Sequence, residues 1–352
     1  MSIIKTPFGR LPGGEEAFLY TMTNARGESV SITNYGGIVT AVRVLDRAGQ
    51  LADVVLGCDT VEKYVPNNGY LGALIGRVGN RINRGRCVLN GQALQLAANS
   101  NGHHLHGGDV GFDKKLWAVE EKCAQGLDQL ILTAFSPDGE EHYPGNLQVK
   151  VTYGWSDEGE LSIHYQARSD KDTLCSLTNH SYFNLRGEGS GLISDQMIEI
   201  NADRFTVVDK DCIPSGELRP VEGTPFDLRT PKRIQDGLDQ VETDEQMGFG
   251  GGYDHNFALN GSGMRRAAMV FDPESGRKMQ VYTDMPGVQF YAGNMLDGTM
   301  QGKCGHAYQP REGLCLETQF YPDSINHPNF PDSVLRAGQE YDFTTVYAFS
   351  AE

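Results

Sequence analysis

Apolar and polar residues alternate with a period of two along most of this chain. Val30-Ser31-Ile32-Thr33 leads through Gly36-Gly37 into Ile38-Val39-Thr40-Ala41-Val42-Arg43-Val44-Leu45, which predicts two strands around a glycine bend. Leu127 to Phe135 predicts a short apolar strand, stopped by the turn signal Pro137-Asp138-Gly139. Leu147 to Tyr153 and Leu161 to Ala167 flank Ser156-Asp157-Glu158-Gly159 and predict a hairpin. A second hairpin is predicted from Ala267–Phe271 through Asp272-Pro273-Glu274-Ser275-Gly276 to Met279–Tyr282, and Tyr341 to Phe349 supplies a last strand.

Helical period is scarce. Pro231 to Val241 predicts one short helix. With 43 glycines and 15 prolines spread among short strands, the pattern predicts an all-β chain with very little helix. The expected architecture is one domain over residues 1–352, a large antiparallel sandwich. Glu245 to Gly252, rich in glycine, reads as a mobile loop inside the pattern.

Charge narrows the partners. The chain carries 46 acidic against 30 basic residues, a formal net charge of −16 that repels nucleic acid and anionic lipid. No apolar run is long enough to span a membrane, and Met1 to Lys5 is cut short by Pro7 and Gly9 before any signal-peptide core develops, so a cytoplasmic protein is expected. Seven cysteines without paired spacing read as reduced thiols, and no C-x-x-C suggests zinc or redox chemistry.

Two stretches could carry proton chemistry. Asn179-His180-Ser181-Tyr182-Phe183-Asn184-Leu185 follows strand-like Ser176-Leu177-Thr178. A histidine there can exchange a proton near neutral pH, with Asn179 and Asn184 to orient the ring, or it can simply close a strand end. In Leu314-Cys315-Leu316-Glu317-Thr318-Gln319-Phe320, the residues Leu314, Leu316 and Phe320 share one face and Glu317 takes the other. That makes Glu317 either a general base tuned by burial or an outward-facing charge.

Weaker signals accompany them. Gly76-Arg77-Val78-Gly79-Asn80-Arg81-Ile82 pairs donors with glycines, but lacks the helix that follows a phosphate loop. His103, His104 and His106 lack a neighbouring carboxylate or cysteine to complete a ligand set, so no metal is expected. Gly252-Tyr253-Asp254-His255 places a carboxylate beside an aromatic ring, as a sugar-binding group or as a turn former.

Taken in order, Gly76–Ile82, Leu105-His106-Gly107-Gly108, Thr178–Leu185, Tyr253-Asp254-His255, Gly287-Val288-Gln289-Phe290-Tyr291 and Leu316–Pro328 resemble the successive motifs of the aldose 1-epimerases, or galactose mutarotases. The resemblance runs from about Ser29 to the final strand. It implies the galactose mutarotase-like supersandwich, a large twisted β-sandwich, and the interconversion of α and β anomers of free aldohexoses such as galactose and glucose. By motif matching, His180 takes the general-acid role and Glu317 the general-base role. Asn80, Arg81, His106, Tyr182, Asp254 and Gln289 fall where the family binds substrate. The implied partner is a small neutral monosaccharide, with no cofactor, metal, nucleic acid or membrane, in a monomer or homodimer. Three features depart from the family pattern: Gly79 in place of alanine, Gln319 after Thr318, and the loop around Phe249.

Such a pair predicts a bell-shaped pH profile, with Glu317 pushed up by burial and His180 pushed up by a neighbouring carboxylate. Three other readings compete. A sugar-phosphate epimerase would gather Arg77, Arg81, Arg84 and Arg86 on the phosphate. A non-catalytic sugar-binding module would not need both His180 and Glu317. A glycoside hydrolase would oppose two carboxylates, Glu317 and Asp254.

Overall fold

The computed structural model describes residues 2–66, 69–124 and 126–352. Met1, which opens the N-terminal stretch read above, lies outside them. Strands dominate, and every pairing between named strands is antiparallel.

Three sheets carry the architecture. A nine-stranded sheet runs in the spatial order Ala118–Ala124, Leu127–Ser136, Leu147–Ser156, Glu160–Ser169, Glu340–Ala351, Arg277–Thr283, Arg265–Phe271, Met197–Ile200, Lys232–Arg233. A five-stranded sheet holds Pro214–Pro220, Ala202–Val208, Asp254–Leu259, Gly287–Tyr291 and Cys315–Gln319. A second five-stranded sheet is a meander, from Ser2–Arg10 through Glu16–Thr23, Ser29–Thr33 and Val39–Leu45 to Leu51–Asp53. The main apolar cluster draws side chains from all three, from Tyr20 and Val30 through Val151 and Phe257 to Phe349.

Each predicted strand is present, extended by one to three residues at most ends. Leu147–Ser156 and Glu160–Ser169 form the predicted hairpin, and Arg265–Phe271 with Arg277–Thr283 the second. Alternation worked because these strands bury one face against the core, as in the pattern of Leu161, Ile163, Tyr165 and Ala167. Gly36 and Gly37 both take positive φ, the left-handed backbone that the bend between Ser29–Thr33 and Val39–Leu45 requires. The strands Ser2–Arg10 and Glu16–Thr23 went unread, because Pro7, Gly9 and the Gly13-Gly14 turn break their pattern.

Two local expectations change. The helix expected over Pro231–Val241 is confined to Ile234–Leu238, because Lys232–Arg233 pairs as a strand with Met197–Ile198. Glu245–Gly252 is no loose loop: Glu245–Gly250 is a helix. The Asp244 carboxylate caps it by accepting from Gln246 and Met247 N–H, and Gly251 closes it in the left-handed region. Buried Gln246 bonds both backbone groups of Val208, which anchors that helix to the five-stranded sheet. Glycine content hid a helix held by one cap and one tertiary anchor. No helix among the described residues is long and apolar enough to cross a membrane.

Candidate active site

Short two-residue ribbons bring distant motifs to one end of the five-stranded sheet. Thr178–Asn179 pairs with Leu74–Ile75, and His180 is the next residue. Arg81–Ile82 pairs with His104–Leu105, which places Asn80 and His106 at the same end of that ribbon. Glu317 sits mid-strand in Cys315–Gln319, in register with Gln289, while Gln289 on its other side faces Asn256. Gly107 has positive φ, and a Cβ there would collide with the Gly76 carbonyl, so glycine is what lets the two loops touch.

A cavity of about 510 Å³ opens where these segments meet. Asn80, Arg81, His106, His180, Asp254 and Glu317 supply polar groups to it, and Lys63 adds a second cation to the lining. Tyr70, Tyr182 and Tyr291 with Met295, Leu296 and Met300 supply its aromatic and apolar walls, and Asp297, Thr299 and Gln301 of the same segment add polar groups. Convergent polar groups inside a mostly apolar wall are what a small-molecule site requires.

Two titratable side chains approach each other in the cavity wall. His180 Nε2 lies 3.5 Å from Glu317 Oε1, with both side chains nearly excluded from solvent (6% and 2% exposed). Burial pushes the Glu317 carboxyl well above its usual range; the Asp254 charge adds to this and Arg81 opposes it. Burial pulls His180 down to about 4, and Arg81 contributes a smaller pull in the same direction. The upward shift expected for His180 is therefore reversed: desolvation outweighs the ring's hydrogen bond to its own backbone, and the carboxyl beside it is itself pushed toward its neutral form.

His106 is driven well below the usual histidine range, by burial first and then by His180 and Arg81. Its Nδ1 accepts the Asn80 N–H at 3.1 Å, so the neutral ring carries its proton on Nε2. Asn80 Oδ1 accepts from Arg81 N–H at 2.8 Å and from Arg81 Nη1 at 3.3 Å. Arg81 Nη2 reaches Asp254 Oδ2 at 3.5 Å, and Gln289 Nε2 donates to Asp254 Oδ1 at 2.7 Å.

Most of the sequence-derived candidates converge, with revised roles. Glu317 does not face solvent, since all five residues of its strand are buried. Gln289 stands behind Asp254 and does not line the cavity. Tyr182 lines it, but its hydroxyl donates to the Gly69 carbonyl at 2.8 Å and its ring stacks on His180. Asn179 and Asn184 do not orient the histidine. Asn179 holds Gly72 O and Ser181, while Asn184 holds the Gly191 and Glu312 carbonyls.

Of the four arginines a phosphate would need, only Arg81 lines the cavity. Buried Arg77 bonds Ser136, Pro137, Pro144, Gly145 and Thr173, and Arg84 and Arg86 are exposed. His103 and His104 also turn elsewhere: His103 Nδ1 accepts from Arg84 N–H, and His104 bonds Ala97 O and Tyr143 Oη. The trio with metal-ligand spacing is instead His106, His180 and Glu317, whose ligand atoms lie within 4.8 Å of one another. These could hold a divalent ion, against the repulsion of the neighbouring Arg81.

Three cavity features escaped the sequence reading. Tyr70 packs on His106 (4.6 Å between ring centroids) and His180 (6.0 Å), and Tyr291 stands edge-on to His180 at 6.3 Å. Cys315 Sγ lies 3.4 Å from His180 Nδ1. Tyr291 and Cys315 stood inside quoted motifs without a signal of their own; Tyr70 had none. Two of the departures noted above meet in space. A Cβ on Gly79 would lie 2.9 Å from Thr178 Cγ2 and 3.4 Å from Gln319 Oε1, so glycine at 79 chiefly makes room for the Thr178 methyl, with Gln319 beside it.

Known proteins share the sequence and the fold of this chain. The model of the family described as aldose 1-epimerase matches residues 19–348. Galactose mutarotase of Bos taurus is 44% identical over 351 residues, 99% of each chain. Aldose 1-epimerase of Escherichia coli K12 is 37% identical and covers 97% of each chain. The crystal structure of a galactose 1-epimerase from Lactobacillus acidophilus superposes with a TM-score of 0.88 over 99% of each chain, at 29% identity.

Proposed function

The chain belongs to the aldose 1-epimerase family, and from that premise we propose that His180 and Glu317 are its proton-exchanging pair. The enzyme is an isomerase that interconverts the α and β anomers of free hexoses such as galactose and glucose by acid–base opening and closure of the ring.

Glu317 as carboxylate takes the proton of the anomeric hydroxyl while protonated His180 gives its Nε2 proton to the ring oxygen. The C1–O5 bond breaks and an open aldehyde forms. Rotation about C1–C2 presents the other carbonyl face. Glu317 then returns its proton to O1, Nε2 takes back the proton of O5, and the other anomer leaves.

The observation that carries this reading is the buried 3.5 Å approach of His180 Nε2 to Glu317 Oε1 in the wall of the cavity. Desolvation favours the neutral pair, and the neutral pair is the state that accompanies the open aldehyde. Burial thereby drives both transfers in the ring-opening direction, each typically worth about 10² to 10⁴ in rate. Arg81 and the Nε2–H of His106 supply donors toward the ring oxygen and hydroxyls. Asn80 and Asp254 offer acceptors, and Tyr182 backs the histidine ring with its stacked face. Gln289 acts by holding Asp254.

Optical rotation of freshly dissolved α-galactose, with and without enzyme, reads the reaction directly. His180→Gln and Glu317→Gln are each expected to lower kcat by at least about a hundredfold with unchanged circular dichroism. Near-wild-type turnover in either variant removes that residue from the pair.

A further inference from the structure

The cycle above constrains which nitrogen of His180 is free to titrate. After Nε2 has given its proton to O5, the ring must keep a proton on Nδ1, because Nε2 needs its lone pair to recover the proton on closure. Resting geometry agrees. The neutral carboxyl of Glu317 faces Nε2 at 3.5 Å, and a carboxyl proton turned toward that nitrogen would meet a lone pair only in the Nδ1–H form. Something must therefore hold Nδ1–H through the whole cycle.

Nδ1 lies 3.4 Å from the sulfur of Cys315, within reach of an N–H···S hydrogen bond. Cys315 is fully buried, two residues before Glu317, and opens the strand that carries it. The histidine's own carbonyl is the other nearby acceptor; it takes the Gly72 N–H at 2.9 Å and keeps a second lone pair, so the Cys315 variants below decide between carbonyl and sulfur. The two asparagines flanking the motif are engaged elsewhere. Stacking on Tyr182 fixes the plane of the ring but does not distinguish its nitrogens.

We propose that Cys315 is a positioning residue whose sulfur accepts Nδ1–H of His180, so that Nε2 alone gives and takes the catalytic proton. The proton on Nδ1 never leaves the ring, and the thiol keeps its own. One strand then delivers both halves of the machinery: the base at Glu317 and, two positions earlier, the group that sets the tautomer of the acid. Sequence periodicity explains the pairing, since residues 315 and 317 project to the same face.

This inference rests on the proposed acid role of His180, and the experiment separates the two. Nitrogen-15 NMR of the histidine side chains in the wild-type enzyme is expected to show neutral His180 protonated at Nδ1; a neutral ring protonated at Nε2 overturns the proposal without any mutation. Cys315→Ala and Cys315→Val, the latter conserving volume, are expected to lower kcat about five- to tenfold, the effect of one modest hydrogen bond, with KM within about twofold. The His180 resonances should shift toward the Nε2–H form in both. Cys315→Ser, which restores an acceptor, should recover most of the turnover and the wild-type tautomer. Wild-type kcat in Ala and Val, a fall in kcat without a tautomer change, or a Ser variant as slow as Ala each overturn the role of Cys315. Those outcomes leave His180 as the acid, whereas an active His180→Gln enzyme removes the acid assignment itself.

Discussion

His180 Nε2 and Glu317 Oε1 lie 3.5 Å apart in the cavity wall with both side chains almost wholly excluded from solvent, close enough for the protonation of one to bear on the other. With Glu317 raised and His180 lowered, the pair holds a single proton over a wide range around neutrality. The reactive arrangement, with the carboxylate and imidazolium both charged, is a fixed fraction of that one-proton state at every pH within the range.

The pH profile of kcat/KM should therefore be a broad plateau. On the acid side, activity falls as the second proton binds, through about 4, where His180 becomes charged beside an already neutral carboxyl. On the alkaline side it falls as the last proton leaves, well above the ordinary carboxylate range. Initial rates by polarimetry, corrected for the spontaneous reaction, check this. A narrow bell confined between about 4.3 and 6.5, the reference values of the separate groups, would refute the one-proton pair.

Gln289→Leu tests the support of Asp254. The variant removes the 2.7 Å hydrogen bond to Oδ1 without touching the cavity wall. KM for galactose should rise roughly tenfold, the scale of a lost hydrogen bond to a charged group, with kcat within about twofold. A large fall in kcat at unchanged KM would place Gln289 in the chemistry instead.

Metal dependence should run opposite to that of a metalloenzyme. The proposed steps use only proton transfers, so exhaustive dialysis against EDTA should leave the rate unchanged. Added zinc should inhibit, competitively with galactose, because His106, His180 and Glu317 are spaced to ligate it and would then be withdrawn from proton exchange. Activity lost to EDTA and restored by a divalent ion would contradict this.

Asp244→Ala removes the cap that accepts from Gln246 and Met247 N–H. Stability measured in urea should fall by about 1 kcal/mol. The helix is also tied to the cavity wall, since Asn294 donates to Gly250 O and Tyr253 O beside the lining segment from Met295. KM should accordingly rise while kcat stays near wild type. A variant with wild-type urea stability would show that the cap carries no weight.

The strands of the large sheet were legible because Leu161, Ile163, Tyr165 and Ala167 each bury a side chain while their neighbours remain accessible. That signal fails where both faces are covered: Cys315–Gln319 is buried throughout, so alternation put Glu317 opposite Leu314 and Leu316 but did not say whether that face meets solvent. It fails also at the two-residue ribbons around His180 and His106, which are too short to show a period. Resemblance to a family singled out His180, Glu317 and four more of the polar residues that line the cavity. It did not reach Cys315, Tyr70 or the placement of Gln289 behind Asp254, which depend on tertiary contacts between segments far apart in sequence. The helix after Asp244 was obscured by glycine, whose low propensity was overridden by a cap and by the burial of Met247.

The nine-stranded sheet places Glu340–Ala351 in its interior, between Glu160–Ser169 and Arg277–Thr283. During synthesis the two halves of that sheet emerge before the strand that joins them. Each carries an open edge of unpaired N–H and C=O groups, with apolar faces waiting on residues not yet released. Until residues 340–351 leave the ribosome, the nascent chain has two half-sheets able to recruit strands from other chains. Aggregation and chaperone capture should therefore concentrate in that interval, and ribosome-bound chains arrested before this strand should bind a holdase that arrested chains with the strand exposed release.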